Sequence, residues 1–439
     1  MLASLLLAGC GMVAPDLDRL YRTAVTHADQ PPVILLHGAF GARLCDERGV
    51  EHWPGGLGAL LFSDYAQLAL AVPGATADEL PLEHCGMTDR VAGQDFYGRI
   101  EDTLIGPGGY ILAEPGKPPP AGRRHYYRFV YDWRRDNAAT ARQLDALVEQ
   151  IRIDRGQPDL KVDIVAHSMG GLVTRYWLRY GTADVLDDND FPINNDGGKK
   201  VRQVVLVGTP SLGSTSALQQ ILEGAHFGTN RMPPEVLLTF PGAYQLLPHP
   251  IVDSVLSGNG SVLDRDIFDI AIWRALEWGP FDPGLRQRLS GEGWDDERFE
   301  ALVDYAHRHL ERARRFVWSL TVKNDAAPYG LIVFGGDCSS TPARILIEDD
   351  GPESHVRLWP DEIRRPAPGV DYAALMLEPG DGVVTKASLL ARAELDPSVP
   401  RHRFSDFPLS YPVMFCEDHS RLPGNLTFQD NLLHILLSR

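Results

Sequence analysis

Basic residues are scarce in this chain. Its 42 Lys and Arg face 59 Asp and Glu, for a net charge of −17. That balance argues against nucleic-acid binding, which needs basic patches, and against electrostatic docking on an anionic bilayer. No apolar run approaches the roughly 20 residues of a membrane-spanning helix. There is no glycine-rich phosphate loop, no internal repeat and no low-complexity segment. Cysteine is also sparse, at five in 439 residues, and none has a CxxC or Cys/His ligand spacing. No metal and no cofactor is therefore implied. What remains is ordinary globular composition, 44% hydrophobic and 23% charged, at a length that allows one large domain with insertions.

The N-terminus departs from that ordinary pattern. Leu5-Leu6-Leu7-Ala8-Gly9-Cys10 is apolar, then small, then a cysteine. It resembles the lipobox of bacterial lipoproteins, which implies cleavage before Cys10, lipid on its sulfur and an extracytoplasmic, membrane-anchored protein. Met1 to Ser4 lacks the positive n-region of a signal peptide. The plainer alternative is a secretory segment with an incidental cysteine, leaving the protein secreted or periplasmic. On this reading residues 1–9 are a signal segment and 10–31 a tether. Export with four further cysteines, Cys45, Cys85, Cys338 and Cys416, points to two disulfides.

Strand signals alternate with helix signals along the rest of the chain. Pro32 to Leu36 is an apolar strand running into His37-Gly38-Ala39-Phe40-Gly41. An aromatic strand, His125 to Tyr131, ends at Asp132-Trp133-Arg134-Arg135, read as structural, with an arginine pairing a carboxylate under the cap. A helix follows with Leu144, Leu147, Val148 and Ile151 on one face. Lys161 to Val165 then leads into Ala166-His167-Ser168-Met169-Gly170-Gly171. This reads as strand, sharp turn and helix with a serine at the apex, a nucleophile elbow. Small residues flank the serine because the turn crowds them. Val201 to Val207, Leu331 to Phe334 and Tyr411 to Phe415 supply later strands, and a helix closes the chain from about 425 to 437. The alternation implies a mostly parallel, doubly wound α/β sheet over residues 32–439. Two irregular stretches interrupt it, a cap at about 43–122 and a lid or cap at about 211–328. The second carries Phe227, Met232, Leu237, Leu238, Phe240, Trp273, Trp278, Phe281 and Trp294, which serve either as a lipid-facing surface or as that insertion's own core.

The pieces Val33 to Gly38, Tyr131 to Arg135, Ala166 to Gly170, Gly208-Thr209-Pro210, Gly380 to Val384 and Cys416 to His419 resemble the lecithin:cholesterol acyltransferase family, which includes lysosomal phospholipases A2 and bacterial lipase-like relatives. The resemblance implies an α/β-hydrolase fold and acyl chemistry on lipid esters. The cap matches poorly, and substrate recognition lies there.

A serine needs a base, and the base needs an acid. His419 follows the last strand and precedes the last helix, which places it beside the elbow. His167 cannot easily turn back onto Ser168, and His434 reads as core. Two aspartates compete for the acid. Asp337 ends a strand, whereas Asp381, between glycines, resembles the family's acid motif and is favoured. The amides of Met169 and Ala39 are the expected oxyanion donors, each worth on the order of 3 kcal/mol of barrier. Cys338 and Cys416 lie just past the last two strands, within disulfide reach. A Cys45–Cys85 bridge would staple the cap, resembling a cap disulfide of the phospholipase relatives with a different spacing. The reading is a serine hydrolase or acyltransferase acting on lipid esters. A carboxylesterase for small soluble esters and a noncatalytic lipoprotein of the same fold are the alternatives.

Two acyl chains hold a protein stably on a membrane where one does not. Replacing Cys10 by Ala is therefore expected to move the protein into the soluble fraction while leaving turnover of dissolved esters intact. Fractionation and intact mass check this. An unmodified Cys10 overturns it.

Overall fold

A computed structural model describes residues 15–23, 30–76, 79–91, 94–227, 230–350, 353–392 and 407–438. Cys10 and the stretch read as a signal segment lie outside these. Seven strands form one parallel sheet: β1 (Val33–Leu36), β2 (Tyr110–Leu112), β3 (Arg124–Phe129), β4 (Val162–His167), β5 (Val201–Val207), β6 (Leu331–Gly336) and β7 (Leu409–Phe415), in the order β7-β6-β5-β4-β1-β3-β2. Five helices cover it: α1 (Gly98–Ile105), α2 (Asn137–Arg155), α3 (Met169–Tyr180), α4 (Asp296–Ser319) and α5 (Leu426–Leu437).

The central strands read as continuous apolar runs because both their faces are buried. Ile34, Leu36, Ile164, Ala166, Val204, Leu206, Leu331 and Val333 share one core with residues of α2, α3 and α4. The alternating residues, Val33, Leu35, Val165, Val205, Val207, Ile332 and Phe334, face a second core with Ile100 and Leu104 of α1 and Phe428, Leu432 and Leu436 of α5. Helices on both faces make this a doubly wound α/β fold, the layering expected of an α/β-hydrolase. Among the described residues no helix is long and apolar enough to cross a membrane.

The expected boundaries shift in four places. The stretch read as a tether contains a short helix, Leu17–Tyr21, whose Tyr21 hydroxyl donates to the Asp430 carbonyl at 2.7 Å. The first insertion ends before α1 instead of at about 122, because α1 and the three-residue edge strand β2 are parts of the core. So short a strand between Gly/Pro clusters leaves no periodicity to read. The second insertion ends before α4, which packs on α3: the Tyr180 hydroxyl donates to the Ser319 carbonyl at 2.7 Å, and Tyr176 stacks on Phe316. A third excursion, between β6 and β7, was not anticipated. There Ile345–Asp350 pairs with Val255–Ser257 of the second insertion, and Ser339–Pro342 pairs with Leu377–Gly380. Of the nine large apolar residues of the second insertion, Met232, Leu237, Leu238, Phe240, Trp273 and Trp278 are buried. Phe227, Phe281 and Trp294 pack half-buried against them. They form that insertion's core. Cys45 is bonded to Cys85 and Cys338 to Cys416, with Cα atoms 5.8 and 5.1 Å apart.

The first insertion is fastened to the sheet by Arg134, whose side chain is fully buried. Its Nε and Nη2 donate to the two carboxylate oxygens of Asp132 at 2.9 and 2.8 Å, and Nη1 donates to the Leu68 carbonyl at 2.9 Å. Breaking a buried pair costs about 3–5 kcal/mol because the partner charge is stranded. Arg134→Met is expected to lower thermal stability on that scale. Arg134→Lys should recover little, since a point charge cannot address both directions of the fork. A lysine variant melting with the parent would show the fork to be dispensable.

Candidate active site

Ser168 stands where β4 turns into α3, at φ 52°, ψ −123°. That is a sparsely populated conformation for a residue with a side chain and costs about 1–3 kcal/mol. The surroundings impose it. The Ser168 amide donates to the Val207 carbonyl on β5 at 2.8 Å, tying the apex to the next strand. A Cβ at Gly170 would meet the His37 carbonyl oxygen at 2.4 Å, and one at Gly171 would meet Thr209 Oγ1 at 1.9 Å. These close approaches are why glycines follow Met169 in the first turn of the helix.

His419 begins a short 3-10 turn after β7. Its Nε2 lies 2.9 Å from Ser168 Oγ and its Nδ1 lies 2.8 Å from Asp381 Oδ2. The His419 amide also donates to the Asp381 carbonyl at 2.9 Å, so backbone and ring are held by the same residue. Gly208, at φ 58°, leaves room for this ring: a Cβ there would sit 3.1 Å from two of its atoms. Asp381 follows the strand Leu377–Gly380 and is buried. Burial pushes its carboxyl up, but His419 and the amides of Val384 and Val383, at 2.7 and 3.0 Å, outweigh that and hold it below the ordinary carboxylate value. Asp337, the competing aspartate, instead pairs with Lys386 at 2.8 Å. His434 is exposed, contrary to its reading as core. Leu432, Leu433, Ile435 and Leu436 around it are buried, but position 434 lies roughly 160–200° from the buried 432/436 line.

Met169 is the first residue of α3, and a first-turn amide has no acceptor within its own helix. Ala39 belongs to the loop after β1, where Gly38 passes so close to the elbow that a Cβ would be 2.7 Å from that of Ser168. Both residues line a tight, mostly apolar cleft with about 20 Å³ of open space, walled by Trp133, Ile221, Leu237 and Phe240. Phe40, at φ 61°, packs at ring-centroid distances of 4.5, 5.4 and 4.9 Å against Trp133, Trp53 and Phe227. Among the described residues no His, Cys, Asp and Glu group is arranged to hold a metal ion.

Two histidines near the serine have other partners. His37 stacks on Tyr131, accepts the Tyr131 amide at Nε2 (3.2 Å) and contacts the Gly38 carbonyl through Nδ1 (2.8 Å). His167 turns away from Ser168 toward Tyr97, with Nδ1 2.8 Å from the Tyr97 hydroxyl. The sequence reading passed over Tyr97, which lies in the irregular stretch taken for cap. The only local signal was an aromatic just ahead of a short amphipathic helix.

The lecithin:cholesterol acyltransferase family model matches residues 125–268, a stretch that includes β3, the elbow, β5 and the start of the second insertion. Over that stretch, about a third of its length, the chain is similar to that family. Three solved structures align with the chain. A Tle4–Tli4 complex is 15% identical, with TM-score 0.53 over 93% of this chain and 98% of that one. Lipase BlEst2 of Bacillus licheniformis in its mature form is 14% identical, with TM-score 0.34 over 94% and 96%. EstA from Clostridium botulinum is 12% identical, with TM-score 0.35 over 94% and 88%. At 15% identity the likeness to the first of these concerns the fold alone. No curated protein matches the chain.

Burial lowers the His37 imidazole to about 4 and, with the nearby His419, the His167 imidazole to about 3. Unfolded imidazoles titrate near 6.5. Between those values the unfolded chain binds protons the folded chain refuses, so stability falls as pH drops from about 6.5 toward 4, by up to about 1.4 kcal/mol per pH unit per imidazole. Melting temperature measured from pH 7.5 to 5 is expected to decline, and less steeply in His37→Gln than in the parent. Equal slopes would mean that His37 is already charged or hydrated when folded.

Proposed function

We propose that the chain is an enzyme acting on lipid esters, by hydrolysis or acyl transfer, a reading that the family match over residues 125–268 supports. We propose that it works through an acyl-enzyme on Ser168. The observation that carries this is the continuous line from Asp381 through His419 to Ser168, with contacts of 2.8 and 2.9 Å. In the proposed reaction Ser168 Oγ attacks the ester carbonyl while His419 Nε2 takes its proton. Asp381 keeps the other ring nitrogen protonated and stabilises the imidazolium as it forms. The amides of Met169 and Ala39 receive the developing oxyanion. His419 then gives its proton to the leaving alcohol, and the acyl group stays on Ser168. Water or a second alcohol, deprotonated by His419, releases it. The side chains around Ala39 and Met169 are mostly apolar, the kind of lining an acyl chain requires. Attachment through a lipid on Cys10, facing an extracytoplasmic membrane, belongs to the same proposal.

Ser168→Ala is expected to lose roughly a millionfold in turnover and all fluorophosphonate labelling. Asp381→Asn should fall by about 10³–10⁴-fold, because the imidazole can then settle in the wrong tautomer. Asp337→Asn, which loses only its Lys386 partner, should stay close to the parent. Label on another residue would move the nucleophile, and the reverse order of the two aspartates would move the acid.

A further inference from the structure

A second chain of hydrogen bonds passes behind the serine, and the mechanism above does not use it. The Gly38 amide donates to the Tyr97 hydroxyl at 2.8 Å. That hydroxyl lies 2.8 Å from His167 Nδ1, and His167 Nε2 lies 3.2 Å from the His419 carbonyl. Gly38, Tyr97 and His167 are all buried. Counting protons orders the chain. Tyr97 already accepts from an amide, so its one proton goes to His167 Nδ1. The imidazole then carries its own proton on Nε2, where only the His419 carbonyl receives it. An imidazolium would leave Nδ1–H facing the Tyr97 proton, and burial disfavours that charged form.

The two ends of this chain matter. One is the residue before Ala39, a proposed oxyanion donor. The other is the backbone of His419, the proposed base. Its middle is the residue before Ser168. Resting on that reading of Ser168, we propose that Tyr97 and His167 are positioning residues that fix the oxyanion loop and His419 at a set separation on either side of the nucleophile. Neither touches the ester. His419 is held from two directions, by Asp381 at its amide and ring and by His167 at its carbonyl. The loop after β1 has its Gly38 amide held by Tyr97, which enters from the residue before α1. Misplacing a reacting group by about 1 Å can cost on the order of a hundredfold in rate.

The test is a double-mutant cycle with Tyr97→Phe and His167→Gln in the full chain, assayed on a short dissolved ester. Active sites are counted by fluorophosphonate titration so that only folded enzyme enters kcat. Each single variant is expected to lose about 10–100-fold in kcat while KM stays within about threefold, since only the reacting geometry is disturbed. The double variant should fall no further than the slower single, because both substitutions cut one link. If Tyr97→Phe does not fold, the kcat-against-KM split of His167→Gln decides alone. Losses that multiply in the double variant, a change confined to KM, or an unchanged kcat with Ser168 still labelled would overturn the bridge and leave the nucleophile standing. Label on a residue other than Ser168 would overturn both.

Discussion

The backbone of Ser168 is the constraint on which the other features depend. Its positive φ is costly for a residue with a side chain, and it persists because neighbours leave no alternative. The amide is bonded to β5, Gly170 lies under the end of β1, and Gly171 lies against Thr209. Each of these contacts brings a strand end within reach of the serine. The loop after β1 delivers Ala39, the turn after β5 clears space with Gly208, and the segments after β6 and β7 deliver Asp381 and His419. A relaxed turn at Ser168 would separate these groups even with every residue retained.

The parallel sheet makes the convergence possible. All seven strands point the same way, so the loops that follow them open along one edge. Burial on both faces keeps that edge rigid: the alternating side chains of β1, β4, β5 and β6 are divided between two cores. The first insertion is attached to this frame by Arg134, which reaches the carbonyl of Leu68, and within the frame Arg312 joins α4 to Asp136 and Asp184 at 2.9 and 2.8 Å. The aromatic cluster of Phe40, Trp53, Trp133 and Phe227 fills the space between the first two insertions and the loop that carries Ala39.

Much of this was legible in order of residues. Strands buried on both faces appear as apolar runs, and an elbow needs small residues around its serine. That is why β1, β4, β5 and β6 and the elbow could be read directly. The edge strand β2 could not, because three residues carry no period. The small sheets between β6 and β7 could not either, since their partners lie far away in sequence, as Val255 and Ile345 do. His434 misled because it was placed on the apolar face of its helix, whereas α5 turns that face to the sheet and leaves position 434 exposed.

The sequence by itself determined the alternating α/β pattern, the serine at a crowded turn and the short set of candidate partners. Residue types and local spacing carry that information, because they express backbone conformation and burial along the chain. Choosing between Asp337 and Asp381 as neighbour of His419 belonged to the tertiary structure. Both aspartates follow strands and both can cap a turn. Only the pairing of Leu377–Gly380 with Ser339–Pro342 brings Asp381 to His419 and leaves Asp337 with Lys386. Tyr97 was likewise decided in three dimensions. A tyrosine 70 residues before His167 acquires its meaning when α1 folds against the far face of the sheet and places its hydroxyl on the imidazole.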